Sequence, residues 1–146
     1  MTENLFVGAW RLLSWENRAA DGRVTYPMGK DISGYLLYTA DGYMNVAIMS
    51  ANRLHFTGSD VLGGTAEERA QAAKTYLSYA GTYEIGDGEV IHHVQVSLFP
   101  NWVGGEQRRF FELEGERLTL SSAPMQIAGA ERRAYLVWER AAPVTP

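Results

Sequence analysis

The chain has 146 residues, 46% of them hydrophobic, which is enough to bury one sizeable core, so we expect residues 1–146 to form a single domain. Its formal net charge is −4 and its 13 Lys and Arg residues are scattered, which excludes a basic surface for nucleic acid or for an anionic membrane. The absence of cysteine excludes disulfides, thiolate nucleophiles and Cys-ligated metals.

The sequence contains no signal for targeting or for membrane insertion. The first residues, MTENLFVGAW, lack the basic start and the long apolar run of a signal peptide. No apolar stretch approaches the roughly 20 residues that cross a bilayer. The sequence therefore predicts a cytoplasmic protein with no nucleic-acid or membrane partner, and it leaves the oligomeric state open.

The first fifty residues have the pattern of short strands separated by tight turns. Residues 5–17 and 43–50 are predicted strands, and Asp41-Gly42 is a strong hairpin signal. Side chains on a strand alternate between its two faces. In the first strand, this alternation places Trp10, Leu12 and Ser14 on one face. In the second strand, it places Met44, Val46 and Ile48 on one face and Tyr43 on the other.

One helix is expected between the strands. Thr65 followed by Glu68 is a capping-box signal, and the apolar spacing after it predicts a helix over residues 66–79. The preceding segment, residues 52–64, is long for a hairpin protein, and such loops are often lids or binding segments. We therefore expect the helix and this loop to border the entrance of a cavity.

The stretch VIHHVQVSLFPNWVGG, residues 90–105, contains two of the three histidines. Neighbouring side chains of a strand point to opposite faces, so only one of His92 and His93 can face inward. The apolar side chains on the face of His92 assign it to the interior; they are Val94, Val96 and Leu98. A β-bulge would reverse this assignment.

The remaining chain returns to the strand pattern. One predicted strand places on one face Gln107, Arg109, Phe111 and Leu113, and the last strand does so with Leu136, Trp138 and Arg140. Eight or nine short strands joined mostly by tight turns, with a single helix, indicate an all-β fold. We predict an antiparallel up-and-down β-barrel of eight to nine strands, with the helix near its mouth and room for one small ligand.

Gly8-Ala9-Trp10 near the start, with Arg140 on the last strand, resembles the lipocalin pattern. More of the chain resembles a bacterial and fungal lipocalin-like domain family, through the segments VGAWRLLSWE, GYLLYTADGYMNV, YLSYAGTYE, HHVQVSLFPNWVGGEQRRF and LVWER. The resemblance implies a calycin-type barrel closed at its base by Trp10 packed under Arg140. It also implies an internal cavity and a possible link to secondary metabolism, but no reaction.

The candidate ligand-binding residues combine aromatic rings with a few polar groups that would face one cavity or its loops. They are Tyr43, Arg53, Phe56, Tyr83, His92, Trp102, Gln107 and Arg109. A buried neutral His92 can be a general base, a hydrogen-bond donor or a satisfied polar group. Arg109 would bind a carboxylate, phenolate or enolate, unless it pairs with an acid such as Glu84.

These features favour the binding of a small apolar or aromatic ligand inside the barrel. The first alternative is a cyclase or isomerase for a polyketide- or terpenoid-like substrate, with His92 and Arg109 as catalytic residues. The second is a haem-binding barrel with His55 or His92 as the axial ligand. No metal site and no cofactor is predicted, because two adjacent histidines on one strand cannot easily face one metal.

Overall fold

The computed structural model describes residues 4–145 as ten strands, one α-helix and one 3₁₀ turn. The first four strands are β1 (Gly8–Arg18), β2 (Val24–Thr25), β3 (Ile32–Tyr38) and β4 (Tyr43–Ser50). They are followed by α1 (Ala66–Lys74), β5 (Tyr76–Ile85), β6 (Glu89–Ser97) and the 3₁₀ turn Pro100–Trp102. The chain continues with β7 (Glu106–Glu114), β8 (Arg117–Ser121), β9 (Met125–Ile127) and β10 (Ala130–Arg140).

Eight of these strands form a closed barrel. The sheet order is β2-β1-β3-β4-β5-β6-β7-β8-β10-β9, every pairing is antiparallel, and β10 also pairs with β1. The short strands β2 and β9 extend the sheet beside β1 and β10. The predicted all-β, antiparallel, lipocalin-like barrel is therefore confirmed. Among the described residues, no helix is long and apolar enough to span a bilayer.

Trp10 closes one end of the barrel. Its side chain is fully buried, and its indole Nε1 donates a hydrogen bond to the carbonyl oxygen of Phe6 at 2.9 Å. The guanidinium of Arg140 lies 4.2 Å from the centre of the indole ring, within range of a cation–π interaction. Arg140 also donates to the carbonyl oxygens of Val7 and Leu5, at 3.0 and 2.7 Å. The expected packing of Trp10 near Arg140 is confirmed.

A β-bulge in β6 changes which of its side chains face inward. Ala80 lies opposite Val96, but the next residue, Gly81, lies opposite Val94, so Gln95 is an extra residue on β6. His92 and Val94 precede the bulge and are buried, whereas Val96 follows it and is 68% exposed. The predicted inward position of Val96 is therefore wrong, because the bulge shifts the alternation by one residue.

A second irregularity, between Leu12 and Ser14, has the same effect on β1. Trp10 and Leu12 precede it and are buried as predicted. Beyond it, Trp15 packs against the core and Asn17 is fully buried. Ser14 was expected to continue the inward face, but the register shift gives that position to Trp15.

The helix is shorter than predicted. Thr65 and Glu68 form the expected capping box, but α1 ends at Lys74, and Thr75 is its C-cap. Residues 76–79 belong to β5, where Tyr76 pairs with Met49 of β4. The prediction of a helix to residue 79 is wrong because pairing along β4 stabilises these aromatic and aliphatic residues as a strand.

Trp10→Ala should lower the free energy of unfolding by about 3–5 kcal/mol, because it leaves a large cavity in the closed end. Urea denaturation followed by circular dichroism measures this loss. The control is Trp102→Ala, which removes the same side chain from a half-buried position and should cost clearly less. Equal losses in the two variants would contradict a special role for Trp10.

Gly81→Ala should destabilise the barrel by about 3 kcal/mol, at the upper end for overpacked sites. A Cβ atom at Gly81 would lie 1.8 Å from the carbonyl oxygen of His93, where the bulge brings the backbone of β6 close. Gly86→Ala is the control, since its Cβ would meet no atom nearer than 3.9 Å. Chemical denaturation measures the free energy of unfolding of both variants. An unchanged value for Gly81→Ala would mean that β5 and β6 can move apart there without loss of stability.

Candidate ligand-binding cavity

The barrel encloses a cavity of about 460 Å³ in the half opposite Trp10 and Arg140. Its aromatic wall consists of Trp15, Tyr76, Tyr79, Phe99, Trp102 and Trp138. Its aliphatic wall includes Leu36, Val46, Ile48, Leu98, Leu120 and Leu136. The polar side chains of the lining, apart from the tyrosines, are His92, Arg109 and Gln126. The cavity is therefore mainly apolar with a few polar groups, which is typical of small-molecule sites.

His92 lies between two tyrosine hydroxyls inside the barrel. Its ring Nε2 is 2.7 Å from the hydroxyl oxygen of Tyr38, and its Nδ1 is 2.6 Å from that of Tyr79. The imidazole is 1% exposed. The three residues come from β6, β3 and β5, so the cluster links three strands of the barrel wall.

Burial keeps this cluster uncharged at neutral pH. Desolvation is the main cause that lowers the pKa of His92 to about 3, and the positive charges of Arg109 and His93 lower it further. Burial also raises the pKa of the Tyr38 and Tyr79 hydroxyls above the usual value. The cluster is therefore a neutral imidazole held by two neutral phenols.

His93 points to the outside of the barrel. Its side chain is 40% exposed, and its ring nitrogens lie 3.2 Å from a carboxylate oxygen of Glu84 and 3.8 Å from one of Glu106. The expected inward orientation of His92 is thus the observed one, because the bulge begins only after Val94. Glu84 is engaged outside the barrel and is not the partner of Arg109.

Arg109 reaches the cavity from β7, one strand away from His92. Its Nη2 donates to the side-chain oxygen of Gln107 and its Nη1 donates to the carbonyl oxygen of Arg108, both at 2.9 Å. No carboxylate among residues 4–145 forms an ion pair with it. Gln107 is buried but lies outside the cavity lining, so it positions the guanidinium.

Trp102 lies at the mouth of the barrel. The 3₁₀ turn that begins at Pro100 brings its ring edge-on to Tyr79 and Phe99, with ring centres 5.7 and 5.5 Å apart. Ala73 of α1 also lines the cavity, so the helix borders the mouth as predicted.

Two predicted contacts lie in the loop before α1 and do not line the cavity. Arg53 donates from Nε to the hydroxyl of Thr75 at 3.0 Å and from Nη2 to the carbonyl oxygen of Ala72 at 2.9 Å, so it caps the end of the helix. The ring of Phe56 packs so closely on Gly64 that a Cβ there would be 2.6 Å from it. These two residues hold the loop and the helix together.

Two predicted tyrosines also lie away from the cavity. Tyr43 is 54% exposed on the outer face of β4, as its alternation with Met44 requires. Tyr83 faces inward but at the closed end, where its hydroxyl donates to the carbonyl oxygen of Thr39 at 2.7 Å. The hydroxyl oxygen of Tyr83 in turn accepts a hydrogen bond from the side-chain amide of Asn4 at 2.9 Å.

The structure adds residues that the sequence reasoning missed. Tyr38 shares its face of β3 with the buried Leu36, and this alternation could have identified it. Tyr79 was assigned to the helix, which concealed its inward position on β5. Trp15 was missed because of the register shift in β1.

The geometry also bears on the chemistry available to His92. Both ring nitrogens are engaged by tyrosine hydroxyls, so neither is free to bind haem iron or to act as a general base without movement of a tyrosine. His55 is exposed on the loop before α1. In the part of the chain that the structure describes, no three His, Cys, Asp or Glu residues are grouped as metal ligands.

Comparisons with known proteins agree with this architecture. Residues 7–141 match a family described as "Lipocalin-like domain". A curated relative from Aspergillus oryzae, named 4'-hydroxy-3'-methoxypropiophenone carrier protein, is 35% identical, with the alignment covering 66% of this chain and 96% of the relative.

Two solved structures are similar at lower levels. A lipocalin-like protein from Bacteroides uniformis has a TM-score of 0.49 and 12% identity, covering 92% of this chain and 97% of that one. An uncharacterized protein from Bacteroides eggerthii has a TM-score of 0.48 and 17% identity, covering 92% and 98%.

The low pKa of His92 predicts a loss of stability in acid. The imidazole of His92 is neutral in the folded protein and takes up a proton on unfolding below pH 6.5. Its contribution to the free energy of unfolding is therefore complete above pH 6.5 and is lost as the pH falls toward 3. The slope should be about 1.4 kcal/mol per pH unit in that range. Urea unfolding from pH 7 to about pH 4 measures it.

Two variants isolate this contribution from that of the carboxylates. His92→Gln should show a shallower decline of stability with falling pH than the original chain. His55→Gln, which changes an exposed histidine on the loop before α1, should keep the original slope. If His92→Gln retains that slope, the buried imidazole is not the cause.

Proposed function

The chain belongs to the lipocalin-like domain family, and on this premise we propose that it is a carrier that binds a small phenolic aryl ketone, or a closely similar aromatic molecule, inside its barrel. The observation that carries the proposal is the internal cavity of about 460 Å³ with an aromatic mouth and a polar wall. Its volume lies within the range of roughly 300–1,000 Å³ found for small-molecule sites.

The apolar walls favour one aromatic ring with short substituents. Trp102 and Tyr79 stand edge-to-face with each other at the mouth, an arrangement that leaves ring faces and edges for contact with a second aromatic group. Leucine, isoleucine and valine side chains make up much of the remaining lining. Burial of an aromatic ligand between these surfaces would supply most of the binding free energy.

Arg109 and Tyr79 supply polar contacts for the oxygen atoms of such a ligand. Arg109 has no ion-pair partner among the described residues, and its guanidinium would bind a phenolate or a ketone oxygen strongly. The relative's name states a ligand with a phenol, a methoxy group and a ketone, attached to one ring. The identity of 35% supports the transfer of this chemical class, and with it a role in handling a secondary metabolite.

A carrier agrees better with the geometry of His92 than the predicted cyclase or isomerase does. An enzyme that uses His92 as a base would need a free ring nitrogen, yet both are bonded to tyrosine hydroxyls. The low pKa of the imidazole also makes it a weak base at neutral pH. We therefore assign His92 to the frame of the cavity, and Arg109 and Trp102 to ligand contact.

Titration of the purified protein with 4'-hydroxy-3'-methoxypropiophenone should give saturable one-to-one binding by isothermal calorimetry. Ala134→Leu should weaken this binding by at least about tenfold, because Ala134 is buried and lines the cavity, and the larger side chain takes up ligand space. Ala47→Leu is the matched control, since Ala47 lies on the outer face of β4.

The measurement requires that both variants remain folded, which near-ultraviolet circular dichroism checks. Failure of the original chain to bind this compound and its close analogues would contradict the proposed function. Equal weakening by Ala134→Leu and Ala47→Leu would place the ligand outside the barrel.

A further inference from the structure

Resting on the proposed function, we infer that the side chains deep in the cavity present mainly hydrogen-bond donors to its occupant. The cavity would then select aromatic ligands whose inner polar atoms are acceptors, such as ketone, ether or phenolate oxygens. Aromatic amines and other ligands that must donate inward would be disfavoured. The reason is the arrangement of Tyr38, His92, Tyr79, Arg109 and Trp138.

In the described part of the chain, the hydroxyl of Tyr38 has a single possible acceptor. Tyr38 is buried, and within residues 4–145 its hydroxyl has one hydrogen-bond partner, the Nε2 of His92. If Nε2 carried the ring proton, the O–H of Tyr38 would be buried without an acceptor, which is unfavourable. Tyr38 therefore donates and Nε2 accepts.

This hydrogen bond determines the tautomer of His92. A neutral imidazole carries one proton, so when Nε2 accepts, Nδ1 is the protonated nitrogen. Nδ1 then donates to the hydroxyl oxygen of Tyr79, 2.6 Å away. The doubly protonated ring is not populated at neutral pH, because burial lowers its pKa to about 3.

The tautomer of His92 determines the direction of the Tyr79 hydroxyl. Its oxygen accepts from His92, so its own O–H cannot be directed at the imidazole. Its hydroxyl has no second partner among the side chains and backbone atoms of the described chain, and Tyr79 lines the cavity. The O–H is therefore available to donate to a ligand. The burial of Tyr38 therefore determines that the Tyr79 hydroxyl acts as a hydrogen-bond donor toward the cavity.

The two remaining deep polar groups are also donors. Arg109 uses two of its five N–H groups for Gln107 and the backbone, and it has no acceptor function. The indole Nε1 of Trp138, 1% exposed in the cavity wall, has no partner among the described residues. Gln126 can accept, but it is exposed at the mouth. A ligand that reaches the interior therefore meets N–H and O–H groups.

The first test needs no ligand. We expect ¹⁵N-resolved NMR of the histidine rings at pH 7 to show His92 protonated at Nδ1 and unprotonated at Nε2. Tyr38→Phe should remove the preference of His92 for protonation at Nδ1. Tyr43→Phe, which changes an exposed tyrosine, should leave that preference unchanged. A ring protonated at Nε2 in the original chain would overturn the inference.

The second test compares two ligands that differ only in the carbonyl. The original chain should bind 4'-hydroxy-3'-methoxypropiophenone about tenfold more tightly than 2-methoxy-4-propylphenol, in which the carbonyl is replaced by a methylene. This ratio should shrink in Tyr79→Phe or in Arg109→Met, and it should persist in Tyr43→Phe. If both variants fail to fold, the ratio in the original chain decides.

The outcomes separate the inference from the proposed function. Equal affinity of the original chain for the two compounds would overturn the donor-rich cavity but leave an aromatic carrier. No binding of either compound would contradict the carrier, and the tautomer of His92 would still test the arrangement of donors. Tenfold selectivity together with a protonated Nδ1 would support both.

Discussion

The pairing of β1 with β10 is the constraint on which the rest of the structure depends. It joins the first and last strands through eight residue pairs, from Trp10 with Arg140 to Arg18 with Arg133. This pairing removes the open edges of the main sheet and encloses the interior. Trp10 fills the centre of the closed end beneath Arg140, and the cavity lies in the other half of the barrel.

The two irregularities in the strands shape that open end. Both lie in the half of the barrel near the mouth, one after Leu12 in β1 and one after Val94 in β6. Each changes the direction of the following side chains by one position, which brings Trp15 into the wall and turns Val96 out. Gly81 makes the second one possible, because no Cβ fits against the backbone of His93.

The polar groups of the cavity are arranged so that little charge is buried. Tyr38, His92 and Tyr79 satisfy one another as neutral groups, which avoids the large cost of an isolated buried charge. Arg109 is the exception, and its position between Gln107 and the cavity leaves its charge free to act on a ligand. A carrier with this wall would hold its ligand by apolar contact and orient it by hydrogen bonds.

The sequence by itself determined the all-β barrel and the faces of the regular strands, and its resemblance to lipocalins implied the closed end. Alternation was enough for Met44, Val46 and Ile48, because a regular strand repeats every two residues. It was also enough for His92, because the bulge in β6 lies after Val94. It also placed Tyr43 outside with the polar face, even though its ring made it a candidate contact. What only the tertiary structure decided lies beyond the bulges and at the end of α1. Val96, Trp15 and Tyr79 took positions set by pairing with neighbouring strands, and such long-range pairing leaves no local pattern in the sequence.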